Sequence, residues 1–550
     1  MLITEQAAYR AQFRTFDEAL IAHIEKKDPH DTIAVVFWLK EPLTTSILSV
    51  SLDINRLLGS SYHFTINHNP PLLSVQMSKQ HLLRLQWYDA LDRIYVDTRF
   101  KIAEPVVASS HYAATPTVLS ALHTQYIYPL HDQNYQGQNQ IIGIVETKKV
   151  RSISSLNVLA YQASCATEPF GDHATFVANI AAGNSVLGGV APQASLLSAC
   201  SIAAGHLQTS LDWIFDQGAH VANISLSDEG SNQLTLSDRL VDYVARTRNK
   251  LVVVSAGNNA GYVGSPSKAY NVLSVGAFLD TNTVPWRDDR MWWDTATRGS
   301  AFRNPQSSAN DREKPEVVAV GNITTLVDEN TPASDTGTSL SAPQVAGLAT
   351  LLLNMNANLS QWPEVTKAII MAASAHNIEG DAFIPSIHET DYRDGAGALI
   401  GTLARDMALN QGTQGNWFPC TYSCWWGISA SNTELPVGAT TGGRIWADPG
   451  QRVRIVVSWW ANATPAFHYG LETDFDLVIR GPNDSIVALS KSTDNNYEMV
   501  DFLAPQQGLY RIEVKKFAAN ETGNKLGIAA LVYDQTPFLP YKIFLPYSRK

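Results

Sequence analysis

Short apolar runs separated by helical segments dominate the middle of the chain. The runs at 141–145, 196–200, 221–226, 251–255 and 272–275 are almost continuously apolar, and helical patterns occupy 174–182, 210–217 and 237–248. Strands that are apolar on both faces and alternate with helices indicate a parallel sheet covered on both sides. Residues 108–410 are therefore predicted to form a doubly wound α/β domain.

The two flanking regions have different patterns. Residues 1–107 carry strand-like runs at 31–39, 72–77 and 93–96 and a helix at 78–85 with Ser78 as its N-cap, which predicts a small α+β domain. Residues 411–540 carry only strand-like runs, at 444–446, 453–459, 475–479, 485–489, 510–514 and 528–533, separated by Gly and Pro. This spacing is typical of an all-β sandwich, and residues 541–550 are left as a tail.

Composition narrows the classes of partner. The net charge of -11 argues against nucleic acid or an anionic membrane surface, because both attract a basic face. No apolar stretch reaches the roughly 18 residues that a membrane span needs. The first residues lack the apolar core of a signal peptide, so we expect either an intracellular protein or an export signal upstream.

The four cysteines suggest disulfides more than a metal site. Cys420 and Cys424 are spaced poorly for zinc, so a local disulfide is expected, with free buried thiols as the alternative. An even cysteine count favours export, and Cys165 and Cys200 are the other two.

The segment GTSLSAPQVAG, from Gly337 to Gly347, carries the strongest chemical signal. A glycine turn leads into a helix whose N-terminal N–H groups favour developing negative charge, which suits an attacking Ser339. A lone Gly-Thr-Ser would only cap a helix. The whole segment resembles the nucleophile motif of the subtilisin-like serine proteases (subtilases).

Other segments resemble motifs of the same family. His173 lies in GDHATFVA, and Gly189-Val190-Ala191-Pro192 begins sixteen residues later, as the family's general-base motif requires. Ala174 and Phe176 depart from it, where the family has Gly and a second His. Asn258 in SAGNN resembles the asparagine that donates to the oxyanion.

The acid position departs from the family. The first buried strand ends in Glu146, where the family has Asp followed by Thr-Gly. A glutamate can orient the imidazole if the longer side chain is accommodated, whereas a surface carboxylate is the alternative use and Asp172 the fallback acid. The order Glu146, His173, Ser339 is that of subtilisin and excludes an α/β-hydrolase esterase.

The resemblance implies further roles. It assigns substrate binding by strand addition to Ser225, Leu226 and Ser227, together with Ala256 and Gly257. Residues 1–107 resemble the family propeptide, an intramolecular inhibitor released by cleavage within 101–110, with an unrelated α+β module as the alternative. Chemistry needs no cofactor, and oxygen ligands for structural calcium are predicted at Asp474, Asp476 and Asp494.

The sequence thus predicts a subtilisin-like serine endopeptidase made as a zymogen. Its partners are protein or peptide substrates and its own propeptide, and we expect it to be secreted or at the cell surface. The competing hypothesis is a catalytically silent relative that binds peptides or proteins.

Overall fold

The computed structural model describes residues 15–40, 46–68, 70–86, 88–100, 115–228, 232–281, 289–378, 393–412, 424–428, 438, 440–461, 471, 473–519 and 525–534. Across these ranges, no helix combines the length and apolarity needed to cross a membrane.

The N-terminal unit, residues 15–100, is the predicted α+β fold. Its antiparallel sheet has the order β2-β3-β1-β4, with β1 Thr32–Leu39, β2 Thr65–His68, β3 Pro71–Ser78 and β4 Leu91–Val96. Its helices are α1 Glu18–Ile24, α2 Ile47–Leu58 and α3 Lys79–Leu83. The Ser78 side chain accepts a hydrogen bond from the His81 N–H, so the predicted N-cap is confirmed.

The central unit, within residues 115–412, is built on an eight-stranded sheet. Seven strands follow the order β11-β10-β9-β8-β5-β7-β6, with β14 beside β10, and only β11 is antiparallel. They are β5 Ile141–Glu146, β6 Val158–Tyr161, β7 Ser195–Cys200, β8 Val221–Ile224, β9 Leu251–Ser255, β10 Val272–Leu279, β11 Arg290–Met291 and β14 Val317–Val320. The doubly wound α/β prediction is confirmed.

Helices cover both faces of this sheet. They are α4 Val118–Thr124, α5 Tyr128–Asp132, α6 Asp172–Ala182, α7 Ala204–Asp216, α8 Leu236–Arg248, α9 Thr338–Met355, α10 Pro363–Ala373 and α11 Gly401–Leu409. α9 is buried from Thr338 to Leu353 and is the central helix of the fold. Two small hairpins lie outside the main sheet, β12 Trp293–Thr295 with β13 Arg298–Gly299 and β15 Asn322–Leu326 with β16 Pro332–Thr336.

The C-terminal region is a sandwich of two antiparallel sheets, as predicted. One has the order β17-β24-β19-β22 and the other β18-β23-β20-β21. The strands are β17 Cys424–Ile428, β18 Thr440–Ala447, β19 Arg452–Trp459, β20 Thr473–Arg480, β21 Ile486–Ser490, β22 Tyr497–Leu503, β23 Gly508–Ala519 and β24 Leu526–Tyr533.

Strand β19 packs on two cores at once. Val453, Ile455 and Val457 face the interior of the sandwich, whereas Val456 belongs to the apolar core of the central unit. Side chains alternate between the faces of a strand, so one sheet is apolar on both sides. The sandwich is therefore packed against the central unit by a continuous apolar interface.

Candidate active site

Glu146 and His173 meet at the end of the first buried strand. Glu146 is the last residue of β5, and His173 is the second residue of α6. The Glu146 Oε2 atom lies 3.2 Å from His173 Nδ1, and the two residues are 0% and 4% exposed. A buried carboxylate at this distance fixes the orientation and tautomer of the imidazole ring.

Ser339 lies at the same edge of the sheet. β5 and β8 are parallel neighbours with Val145 opposite Ile224, so Glu146 and Ser225 leave adjacent strands side by side. The Ser225 hydroxyl donates to the backbone carbonyl of Ser339 at 3.0 Å. The acid and the proposed nucleophile are therefore brought to one place by two neighbouring strands.

The packing of α6 against α9 supports the same arrangement. A Cβ on Gly347 would lie 3.2 Å from the carbonyl oxygen of Ala181, which shows how closely the two helices approach. Gly347 lies eight residues after Ser339, and Ala181 lies eight residues after His173. These equal offsets are consistent with parallel helices whose N-termini, with His173 and Ser339, lie at the same level.

Asn258 is held in one orientation by Thr338. The Thr338 N–H and hydroxyl both donate to Asn258 Oδ1 at 2.9 Å, and the Thr338 oxygen accepts from the Gly257 N–H at 3.0 Å. A backbone N–H can only donate, so the atom that it meets must be the amide oxygen. The Asn258 NH₂ is thereby left to donate to another group.

Gly337 leaves space between these groups. A Cβ there would lie 3.2 Å from Asn258 Nδ2 and 3.3 Å from Ser339 Oγ, so both atoms border the same point. Its φ of 175° is ordinary extended backbone, and glycine is required by the close approach and not by the dihedral angle. An amide donor and a hydroxyl nucleophile around one small space suit acyl transfer.

The predicted substrate residues directly follow β8 and β9 at this edge of the sheet. Leu226 is 2% exposed and belongs to the apolar core beneath α7 and α8, whereas Ser225 continues β8 toward Ser339. The Ala256 N–H donates to Val275 and its carbonyl accepts from Gly264, so both backbone groups have partners within the central unit. Gly257 donates its N–H to Thr338. The binding roles of Ser225, Leu226, Ser227, Ala256 and Gly257 stay predictions.

The fallback acid has another partner. Asp172 pairs with Arg151 at 2.5 Å on the partly exposed side of α6. The structure thus separates the two carboxylates, since Glu146 faces the imidazole from within the core.

The geometry gives the calcium prediction no support. Within the described ranges, no group of three or more His, Cys, Asp and Glu side chains is placed to hold a metal ion. The Asp494 carboxylate accepts hydrogen bonds from the Ser308 hydroxyl and the Ala309 N–H, and these bonds join the sandwich to the central unit. Burial and the nearby carboxylates of Asp476, Asp311 and Asp494 raise the pKa of Asp474 to about 6.

One disulfide links two elements around the site. Cys165, shortly before α6, is bonded to Cys200 at the end of β7. Cys424 is disulfide-bonded as well, and Cys420, its predicted local partner, lies outside the described residues.

Sequence reasoning missed the role of Thr338. It adjoins the nucleophile in the motif, but only the fold shows that its side chain orients Asn258, which lies 80 residues earlier. The signal available in the sequence was the hydroxyl side chain of Thr338 next to the proposed nucleophile.

Comparison with known proteins agrees with this geometry. The model of the subtilase family matches residues 121–398. Subtilisin DY of Bacillus licheniformis is 28% identical over 274 residues, which are 46% of this chain and 88% of that protein. An alkaline protease of Alkalihalobacillus alcalophilus is 27% identical over 305 residues, which are 53% of this chain and 71% of that protein.

A solved structure covers most of the chain. Fervidolysin from Fervidobacterium pennivorans, a keratinolytic enzyme related to subtilisin, aligns over 86% of this chain and 85% of its own, with 15% identity and a TM-score of 0.49. With a family match over half of its length and a serine, a histidine and a carboxylate at one edge of an α/β sheet, this chain belongs to the subtilase family of serine endopeptidases.

Proposed function

We propose that this endopeptidase works with a Ser-His-Glu triad in which Glu146 replaces the usual aspartate. The observation that carries the proposal is the contact of 3.2 Å between Glu146 Oε2 and His173 Nδ1 in a buried setting. The extra methylene of glutamate does not prevent the contact. This supports the active enzyme over the catalytically silent relative, the hypothesis that Glu146 and the altered histidine motif favoured.

Each residue then has one role. Ser339 attacks the peptide carbonyl while His173 Nε2 takes its proton, and Glu146 stabilises the resulting imidazolium through Nδ1. The Asn258 NH₂ and the Ser339 N–H at the start of α9 hold the oxyanion. His173 returns the proton to the leaving amine. In deacylation His173 takes a proton from the water that attacks the acyl carbonyl and returns it to Ser339 Oγ as the acyl bond breaks. No cofactor is needed.

We further propose that the N-terminal unit is the propeptide, with domain limits at 1–107, 108–410 and 411–540. It packs on α7 and α8, where Trp38 contacts Tyr243 edge to face. The Asp97 carboxylate accepts from the Gly205 N–H at 2.7 Å, at a helix start that has no cap of its own. A carboxylate there stabilises the helix N-terminus.

The chain after Asp97 supports inhibition in the cleft. The Ala204 N–H donates to Thr98 and the Phe100 N–H donates to Ile202, so residues 98–100 add a short antiparallel strand to the central unit. The predicted cleavage region, 101–110, lies outside the described residues. The Cys165–Cys200 disulfide favours an oxidising compartment, in keeping with a secreted or cell-surface enzyme that acts on proteins or peptides.

Intact mass of the purified protein over time tests the proposal. The wild type is expected to lose a fragment ending within 101–110, whereas Ser339→Ala stays whole. The half-buried Ser360, five residues after the end of α9, provides the matched control, and Ser360→Ala is expected to be processed like the wild type. Equal processing of Ser339→Ala would contradict self-cleavage, and an intact wild type that also resists fluorophosphonate labelling would contradict the active triad.

A further inference from the structure

The segment that continues β8, from Ser225 to Asp228, ends in the carboxylate of Asp228. Asp228 follows Ser225-Leu226-Ser227 and pairs with Ser265 through two backbone hydrogen bonds of 2.8 and 3.2 Å. Since a strand rises about 3.3 Å per residue, Asp228 lies about 10 Å along the cleft from Ser225, which contacts Ser339. An extended substrate covers this distance with about three residues before the scissile bond.

The N-terminal unit places a side chain on this carboxylate. The Thr98 hydroxyl donates to Asp228 Oδ2 at 2.9 Å. The backbone from Thr98 to Phe100 pairs with residues 202–204, so this stretch lies between that segment and Asp228. An extended peptide in the cleft is held in the same manner, by backbone pairing on one side and side-chain contacts on the other.

The two carboxylate oxygens of Asp228 have different partners. Oδ1 accepts from the Ser265 N–H within the central unit at 3.2 Å, whereas Oδ2 accepts from Thr98. Burial, together with the nearby Asp238 carboxylate, raises the pKa of Asp228, and the Lys268 charge opposes this. When the N-terminal unit departs, Oδ2 loses its donor and faces the space that Thr98 filled.

We propose that Asp228 is a specificity-determining residue, whose Oδ2 accepts a hydrogen bond from the substrate side chain that takes the place of Thr98. Hydroxyl and cationic side chains, Thr, Ser, Lys and Arg, are preferred there, and acidic ones are rejected by like charge. The inference rests on the proposed function, because it takes the N-terminal unit as a guide to how substrate lies.

Quenched fluorescent peptides test this preference on the processed enzyme. They copy residues 96–112, which include the predicted cleavage region, and carry Thr, Lys, Val or Glu at the position of Thr98. For the wild type, kcat/KM with Lys is expected to exceed that with Glu at least about 10-fold, the scale of one hydrogen bond to a charged group. In Asp228→Asn this ratio falls to about 2-fold, since the amide carries no charge.

The ratio compares two substrates on one enzyme, so partial misfolding of a variant cancels. The exposed Asp448, in the sandwich, provides the control, and Asp448→Asn keeps the wild-type ratio. If the wild type cleaves all four peptides at similar rates, or if Asp228→Asn keeps the wild-type ratio, the inference is wrong while the peptidase activity stands. If the wild type cleaves none, the proposed function fails and the inference falls with it.

Discussion

Thr338 is predicted to act on catalysis through Asn258 and not through the fold. Its hydroxyl donates to Asn258 Oδ1 and accepts from the Gly257 N–H, and its own N–H also donates to Oδ1. In Thr338→Val the two hydroxyl bonds are lost and the N–H bond remains. The amide of Asn258 then keeps its position less firmly.

The magnitudes follow from these contacts. Removal of one oxyanion donor in subtilisin itself costs about 10²–10³ in kcat, so Asn258→Ala is expected to fall in that range. Two neutral hydrogen bonds contribute about 1–3 kcal/mol in all, and only part of that concerns the amide orientation. We therefore expect Thr338→Val to lower kcat about 10-fold with little change in KM.

A double-mutant cycle separates the two explanations. The kcat of wild type, Asn258→Ala, Thr338→Val and the double variant is measured with one peptide, at enzyme concentrations set by fluorophosphonate titration. If Thr338 acts through Asn258, Thr338→Val has almost no further effect once Asn258 is alanine. Additive losses would refute the reasoning, as would a kcat of Asn258→Ala within about 3-fold of the wild type.

Three other predictions concern the neighbourhood of the site and its support. Gly337→Ala is expected to lower kcat about 10- to 10²-fold, because the new Cβ would crowd Ser339 Oγ and Asn258 Nδ2. The melting temperature is expected to stay the same, because the φ at this position suits any residue. A fall in kcat that is accompanied by a fall in melting temperature would contradict this. Reduction of the Cys165–Cys200 bond, which spans 35 residues, is expected to lower the free energy of unfolding by about 3–4 kcal/mol in denaturant titrations, and an unchanged midpoint would exclude the effect. Burial raises the pKa of Glu364 from 4.5 to about 7, so the folded state binds that proton more tightly and the contribution of Glu364 to stability falls as pH rises through this range. Glu364→Gln is expected to gain about 3 kcal/mol relative to the wild type between pH 4.5 and 7, and a difference that does not change with pH would be evidence against it.

The sequence predicted the elements that are set by local pattern. The apolar strands ending at Glu146 and Ser255 are confirmed, and with them the edge where the site forms. The parallel sheet brings residues that are far apart in the chain to one edge. The triad itself was proposed from motifs that resemble those of the subtilase family, and the order of its residues along the chain supported that assignment.

The features that were not predicted depend on contacts between segments that are far apart in the sequence. The start of α7 was predicted at 210, but the helix begins at Ala204, because the carboxylate at its N-terminus comes from Asp97, over a hundred residues earlier. Asp494, one of the predicted calcium ligands, accepts hydrogen bonds from Ser308 and Ala309, contacts that no local pattern indicates, and the calcium site stays a prediction. The helix at Ile47–Leu58 was not predicted from the sequence.

The central claim is that a buried glutamate does the work of the triad acid, and the kcat of Glu146→Gln tests it most directly. Two unit charges 3.2 Å apart interact by about 5 kcal/mol at an effective dielectric constant of 20, which corresponds to a factor of about 10³–10⁴ in rate. Loss of the acid on another triad costs a similar factor, about 10⁴. Glu146→Asp, whose carboxylate ends one methylene short of His173, serves as the intermediate case.

We predict that Glu146→Gln keeps the wild-type melting temperature and a near-normal KM but loses at least about 10³-fold in kcat, with Glu146→Asp between it and the wild type. A Glu146→Gln enzyme with more than about one tenth of the wild-type kcat would show that Glu146 is not the working acid. A Glu146→Asp enzyme faster than the wild type would contradict the expected ranking of the three variants.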